Sequence, residues 1–219
     1  MNYLICTNGR TGSNWLGQML RSTRLMGSPL EFFNPGVIND QHDRVGVARD
    51  CPDDAYWAAV RQMHATNGVQ GSKVGWHVLK RAVAAVKPDY YVHLTRLDTL
   101  RQAISLYRAG VTKVWVRGNR KSDPCPRPEI DVDAILSEER GLVQRDEWMC
   151  WYFAEHGVEP LTVTYEDIMA DPPGVVRRVA EFMRIELPDG FQPRWTTLVQ
   201  RDEWTEEARD AVLATRARG

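Results

Sequence analysis

Cysteine is scarce and unpatterned in this sequence: Cys6, Cys51, Cys125 and Cys150 are scattered over 219 residues and no two form a CxxC pair. Scattered thiols of this kind behave as inert, reduced side chains and fit a reducing compartment. Charge of either sign is also not in excess. Lys plus Arg number 28 against 29 Asp plus Glu, a net charge of -1, which argues against binding nucleic acid or an anionic membrane surface, since both need a positive field. An anionic ligand must then be met by local arginines. No apolar run approaches the roughly 20 residues of a membrane span. His77, His93 and His156 have no metal-ligand spacing, so no metal is expected. Met1 runs directly into the first strand, leaving no room for a signal peptide; the expectation is a cytoplasmic protein.

What is present is enough for a core. At 43% hydrophobic residues, the chain needs neither disulfides nor metal to fold, and its length suits one domain over residues 1–219. Tyr3–Thr7 is a short apolar run of the buried-strand type. Ser13 is placed to cap a helix bearing Trp15, Leu16, Met19 and Leu20. Met26–Cys51 reads as loop with short elements. Asp53–Thr66 reads as a helix, with Tyr56, Ala59, Val60 and Met63 on one face, and Gly71–Trp76 as a brief strand. A helix over Val78–Val86 is ended by Pro88. Tyr90–Arg96 is the clearest strand, followed by a helix over Thr99–Ala109 closing at Gly110. Lys113–Pro128 is basic, proline-rich and aperiodic, the pattern of a mobile surface loop. A long helix over Asp131–His156 turns Val132, Ile135, Leu136, Leu142, Val143, Met149, Cys150 and Phe153 inward. A strand at Pro160–Tyr165, a helix at Pro173–Met183 and a charged helical tail from Asp202 complete the chain. Strands alternating with helices predict an α/β fold with a central parallel sheet flanked by helices, its ligand at the carboxyl ends of the strands.

Three stretches could carry chemistry. The first is "ICTNGRTGSNWLGQML", from Ile5: a strand, a polar turn with Gly9 and Gly12, then a helix. Backbone N–H groups in such a turn form an anion site, and Arg10 adds a planar cationic fork. A GxxxxGK[ST] loop would place a lysine after the second glycine. Here Ser13 stands there, so a magnesium nucleoside triphosphate is not the natural ligand. A plain strand–turn–helix accounts for the glycines equally well. The second stretch is "HLTRLDTLRQAISLYRAG", where Arg96 ends a strand and Arg101, Ser105 and Arg108 follow at i, i+4 and i+7 on one helix stripe. It reads either as a second phosphate site or as a solvated charged face, though serine is a poor choice for the latter. The third is "SPLEFFNP". Glu31 beside Phe32 and Phe33 is either a general base with a raised pKa or an exposed loop acid.

Together, RTGSNWL at Arg10–Leu16, EFF at Glu31–Phe33, RLDTLRQAIS from Arg96 to Ser105 and RDEW at Arg201–Trp204 resemble the sulfotransferases that use 3′-phosphoadenosine-5′-phosphosulfate (PAPS), nearest the mycobacterial trehalose 2-sulfotransferase branch. The RxDxxxQAxS pattern is the most specific element. The resemblance implies a three-layer P-loop-like fold and transfer of a sulfuryl group to a hydroxyl, with no metal. It implies that Arg10, Thr11, Gly12, Ser13 and Asn14 hold the 5′-phosphosulfate, with Arg10 stabilising charge on the sulfuryl oxygens. Arg96 and Ser105 match the 3′-phosphate ligands, and Arg201 a basic residue of a loop closing over the same phosphate. Glu31 matches the general base of the trehalose branch. Phe33, Lys73, Trp76 and Trp115 are expected near the acceptor. The acceptor is expected to be a sugar, a glycolipid or another small hydroxyl compound, and the family includes homodimers. A P-loop-type kinase and a non-catalytic nucleotide-binding protein are the alternatives that the residues themselves leave open.

Overall fold

The computed structural model describes residues 1–115, 126–197 and 201–218. Four parallel strands form its sheet: β1 (Asn2–Thr7), β2 (Gln70–Val74), β3 (Tyr90–Thr95) and β4 (Leu161–Thr164), in the order β2-β1-β3-β4. Parallel neighbours need crossover connections, and helices supply them. These are α1 (Ser13–Ser22), α2 (Ile38–Val45), α3 (Asp53–His64), α4 (Leu79–Val86), α5 (Thr99–Thr112), α6 (Val132–Glu155), α7 (Tyr165–Ala170), α8 (Pro172–Phe182) and α9 (Glu203–Arg216).

The period of two along β1 builds the layers. Tyr3 and Ile5 point into one apolar cluster with Leu16, Met19 and Leu20 of α1 and Val175, Val176 and Val179 of α8. Leu4 and Cys6 point into the opposite cluster with Tyr56, Trp57 and Val60 of α3, Leu79 and Ala82 of α4 and Met149 and Phe153 of α6. The sheet is thus covered on both faces, as parallel sheets require. A third cluster joins α5, α6 and α9 through Ile104, Ile135, Leu142, Trp204 and Ala208. From β1 the chain passes to β2 on one side, then returns to β3 on the other. The strand order therefore reverses between β1 and β3, and a crevice opens at their carboxyl ends, where open α/β sheets hold ligands.

Several expectations are refined or corrected. Within the Met26–Cys51 segment, read as loop with short elements, one short element is defined as the helix Ile38–Val45. Gly12, not Ser13, caps α1. Trp76 lies outside β2, in the 3-10 turn Trp76–Val78. Helix α5 runs through Gly110 to Thr112 and stops at Lys113, whose φ of 60° is left-handed. On α6 the buried side chains are Ile135, Leu142, Met149, Tyr152 and Phe153, while Val143 and Cys150 are exposed. Ile135, Leu142 and Met149 repeat at seven residues; Val143 and Cys150 each sit one residue, about 100°, further round. Met63 shares the α3 face of Tyr56 but is exposed in the last turn. Most of the expected mobile loop, residues 116–125, lies outside the described residues, as does Cys125.

Helix α9 is tied to α5 by charge as well as by packing. Arg108 of α5 is buried, its Nη1 and Nη2 each 2.8–2.9 Å from a carboxylate oxygen of Asp202, and its guanidinium lies 4.7 Å from the Trp204 ring centroid. Breaking a buried pair leaves the partner charge uncompensated. Asp202 is a third exposed, and solvent offsets part of that cost. Arg108→Met is therefore expected to destabilise the protein by about 2 kcal/mol, measured by denaturant unfolding.

Candidate active site

The loop after β1 is shaped by backbone conformation. Arg10 (φ 69°) and Gly12 (φ 82°) are both left-handed. A Cβ at Gly12 would sit 3.0 Å from the Tyr165 ring, so glycine is required there for two reasons, conformation and space. Gly12 has no side chain with which to cap α1, and uncapped N–H groups at a helix start attract anions. The loop is braced from within. Thr7 Oγ1 and Thr11 Oγ1 are 2.5 Å apart, Thr11 Oγ1 donates to the Asn8 carbonyl, and Gln102 of α5 donates to the Gly9 carbonyl at 2.8 Å.

Arg96, one residue beyond β3, reaches this loop. Its Nη1 donates to the Arg10 carbonyl at 3.3 Å, and its guanidinium lies 4.3 Å from the Tyr165 ring centroid. Burial pulls its pKa below the ordinary guanidinium value, though guanidinium groups stay charged in proteins. Ser105 of α5 accepts from Arg10 Nε at 2.8 Å. Arg96 thus meets the Arg10 carbonyl and Ser105 the Arg10 side chain, and both line one cavity. The Arg10 side chain crosses to α5 and lies against Ser105. The Arg101–Ser105–Arg108 stripe faces a cavity and α9, not solvent: Arg101 bonds Asp98 and Glu206 at 2.8 Å, and Arg201 bonds the same Glu206 at 2.9 Å.

Glu31 lines the same cavity. Leu30 forms a parallel bridge with Ser72, and the Lys73 amide donates to the Leu30 carbonyl at 2.8 Å. Glu31 is therefore held at the carboxyl end of β2. Lys73, 5% exposed, sends its ammonium to Glu31 Oε1 at 3.3 Å and to Asn14 Oδ1. Asn34 donates to Glu31 Oε2 at 2.6 Å. The expected raised pKa is overturned. Desolvation is the largest single influence and pushes the Glu31 pKa up, but the Lys73 charge and the bonds from Asn34 and Lys73 together hold it below the ordinary value. Glu31 is a carboxylate throughout the neutral range.

One cavity of about 900 Å³ joins these parts. Of the residues expected at the site, Arg10, Gly12, Ser13, Asn14, Glu31, Lys73, Arg96, Ser105, Trp115 and Arg201 line it. Three do not. Thr11 is turned into the loop, Phe33 is fully buried against Tyr56 and Trp57, and Trp76 lies edge-on to Trp148. The sequence reading missed Tyr165, which backs Arg96, and Asn34, which orients Glu31. No local pattern marks either, because each acts on a residue more than one element away or through a turn. It also missed a grouping of His93, Asp146 and Cys150, whose ligand atoms lie within 4.8 Å of one another and could hold a metal ion. These residues come from β3 and α6, so spacing along the chain could not reveal them, and none lines the cavity.

Comparison with known proteins supplies the family. Residues 77–209 match the family model described as Stf0 sulphotransferase. A trehalose 2-sulfotransferase of Mycobacterium tuberculosis is 29% identical over 222 residues, with 82% of each chain covered. A trehalose 2-sulfotransferase of Mycolicibacterium smegmatis is 28% identical over 258 residues, covering 94% of each. Among solved structures, a sulfotransferase from Alicyclobacillus acidocaldarius superposes with a TM-score of 0.52 at 16% identity, covering 99% of this chain and 93% of that one; this similarity bears on the fold alone. The family match runs from the turn before α4 into α9, more than half of the chain, and includes Arg96 and Ser105. The chain belongs to the Stf0 sulphotransferase family and is a sulfotransferase.

Proposed function

We propose that this sulfotransferase moves the sulfuryl group of PAPS to a hydroxyl of a small acceptor, a sugar or glycolipid, with Glu31 as general base. The observation that carries the reading is the convergence of the β1 loop, the Arg96–Arg10–Ser105 cluster and Glu31 on one cavity. Two relatives named for trehalose support a sugar acceptor. Support for an anionic donor comes from Arg96, a partly desolvated guanidinium that lines the cavity beside the β1 loop. A phosphate oxygen there would gain a charge-assisted hydrogen bond.

Bound PAPS supplies the sulfuryl group and departs as 3′,5′-adenosine bisphosphate (PAP). The backbone of Arg10–Asn14, at the positive end of α1, holds the 5′ group. Arg96 and Ser105 would hold the 3′-phosphate, with Arg201 a further cation on the same cavity. Arg10 spans the two positions, its backbone in the loop and its guanidinium at Ser105, and stabilises the charge that develops on the leaving oxygens. Glu31 takes the acceptor proton as the acceptor oxygen bonds to sulfur and the bond from sulfur to the phosphate oxygen breaks. A loose, in-line transition state makes positioning and electrostatics the main contributions, and it demands little basicity before the new bond forms. A carboxylate of low pKa is then an adequate acceptor.

Calorimetric titration without metal tests the donor assignment. PAP is expected to bind tightly, 5′-AMP at least about tenfold more weakly for want of charge-assisted bonds to a 3′-phosphate, and ATP no better than 5′-AMP. A preference for ATP would overturn the PAPS assignment.

A further inference from the structure

Lys73 is an unusual residue to bury. It sits on β2 beside Ile5 of β1, with its side chain 5% exposed. A lysine ammonium in that setting loses most of its hydration, and burial does pull its pKa below the ordinary lysine value against the opposing effect of Glu31. Its surroundings are built to accommodate it. Gly17 of α1 lies where a Cβ would stand 3.0 Å from the Pro29 carbonyl, so this glycine lets α1 pack closely on the Pro29 backbone, with the lysine stem in ordinary contact beside it. The amide of Lys73 anchors Leu30, the neighbour of Glu31, and its ammonium bonds Glu31 and Asn14. Asn14 is the second residue of α1, in the turn read as the 5′-phosphosulfate cradle.

We propose that Lys73 is a positioning residue that couples the base to the donor loop: it locks the Glu31 carboxylate in its ionised form and fixes its distance from the start of α1. The inference rests on the reading of Glu31 as the base. It assigns Lys73 to the base itself, not to the acceptor. One oxygen of Glu31 is pinned by Lys73 and the other by Asn34, so the carboxylate has little freedom to turn. Other titratable groups border the same cavity: Arg10 and Arg96 from the loops after β1 and β3, Arg101 and Arg108 from α5, Arg201 before α9, Arg44 from α2 and His77 from the turn after β2. Among the described residues, Lys73 is the cation within ion-pair distance of Glu31, at 3.3 Å. Because the Glu31 pKa is lowered in the folded protein, its ionised form persists as pH falls through the ordinary glutamate range and is lost only below it.

The test is the pH dependence of kcat/KM for Lys73→Met, measured from about pH 3.5 to 9 beside wild type and Glu31→Gln. Wild type is expected to keep its activity down to about pH 5. In Lys73→Met the unpaired, desolvated carboxyl titrates higher, so the acid limb moves up by about one pH unit or more, while PAP affinity stays within about threefold. A limb that coincides with that of wild type would overturn the proposal. If Glu31→Gln leaves kcat/KM unchanged, the base assignment itself has failed, whatever Lys73→Met does. Should Lys73→Met fail to fold, NMR of lysine ammonium groups reads the same coupling in stable protein. A protected Lys73 signal is expected at neutral pH, shifted in Glu31→Gln, and an unmoved signal would count against the pair.

Discussion

Replacing Glu31 with glutamine is expected to lower kcat by about 100- to 10,000-fold, the contribution of a positioned base, while PAP affinity holds within about threefold. Glutamine keeps the size of the side chain, and its carbonyl can still accept from Lys73, so the loop should keep its place. What it loses is the capacity to take a proton. Burying Lys73 without its carboxylate carries a stability cost, and the measurement therefore pairs single-turnover rates with thermal unfolding under the same conditions. A folded Glu31→Gln protein that turns over within about threefold of wild type would remove Glu31 from the mechanism. Loss of PAP binding in step with rate would instead make Glu31 a scaffold for the loop, acting through Lys73 and Asn14.

The second large effect concerns the donor. Arg96→Met is expected to weaken PAP binding by about 30- to 100-fold, the loss of one or two charge-assisted hydrogen bonds, and to weaken 5′-AMP binding far less. The comparison of the two ligands is needed because Arg96 does two things. Its Nη1 supports the Arg10 carbonyl, and its guanidinium borders the cavity. Equal losses for PAP and 5′-AMP would mean that Arg96 shapes the loop and meets no 3′-phosphate. Ser105→Ala removes the hydroxyl that receives Arg10 Nε, and a loss of PAP affinity of about tenfold, again with little effect on 5′-AMP, is the matching result. Both titrations read binding alone, so they stand even before an acceptor is identified.

The parts of this protein that were legible in its sequence are those written in local chemistry. Two glycines between an apolar run and a 3.6-period stripe specify a strand–turn–helix, because only the backbone of nearby residues is involved. The same holds for Arg96 at the end of β3 and Ser105 on α5: the strand's abrupt end and the helix period place both on the carboxyl side of the sheet. The parallel sheet itself followed from the alternation of elements. Where the local signal was mixed, the reading stayed coarse. The Met26–Cys51 segment is rich in turn formers and was legible only as loop with short elements; it contains α2, whose burial of His42 against Tyr56 comes from contact with α3. Phe33, beside Glu31, looked like part of an acceptor wall but is fully buried among Tyr56 and Trp57.

The electrostatic state of the site was decided by tertiary structure. From the sequence, a glutamate followed by two phenylalanines suggested either a raised pKa or an exposed loop acid. Both rings turn into the core, and the carboxyl instead meets Lys73, 42 residues on, delivered by the neighbouring strand β2. Arg10 was legible as an anion-binding residue, but its contact with Ser105 spans 95 residues. Such pairings depend on strand order. The sequence by itself determined which residue types lie at the ends of which elements, because periodicity and turn chemistry act over a few residues. Only the fold, by setting β2 and β3 on either side of β1, decided which charges face each other, because Coulomb and hydrogen-bond energies depend on distances in space that chain spacing does not encode.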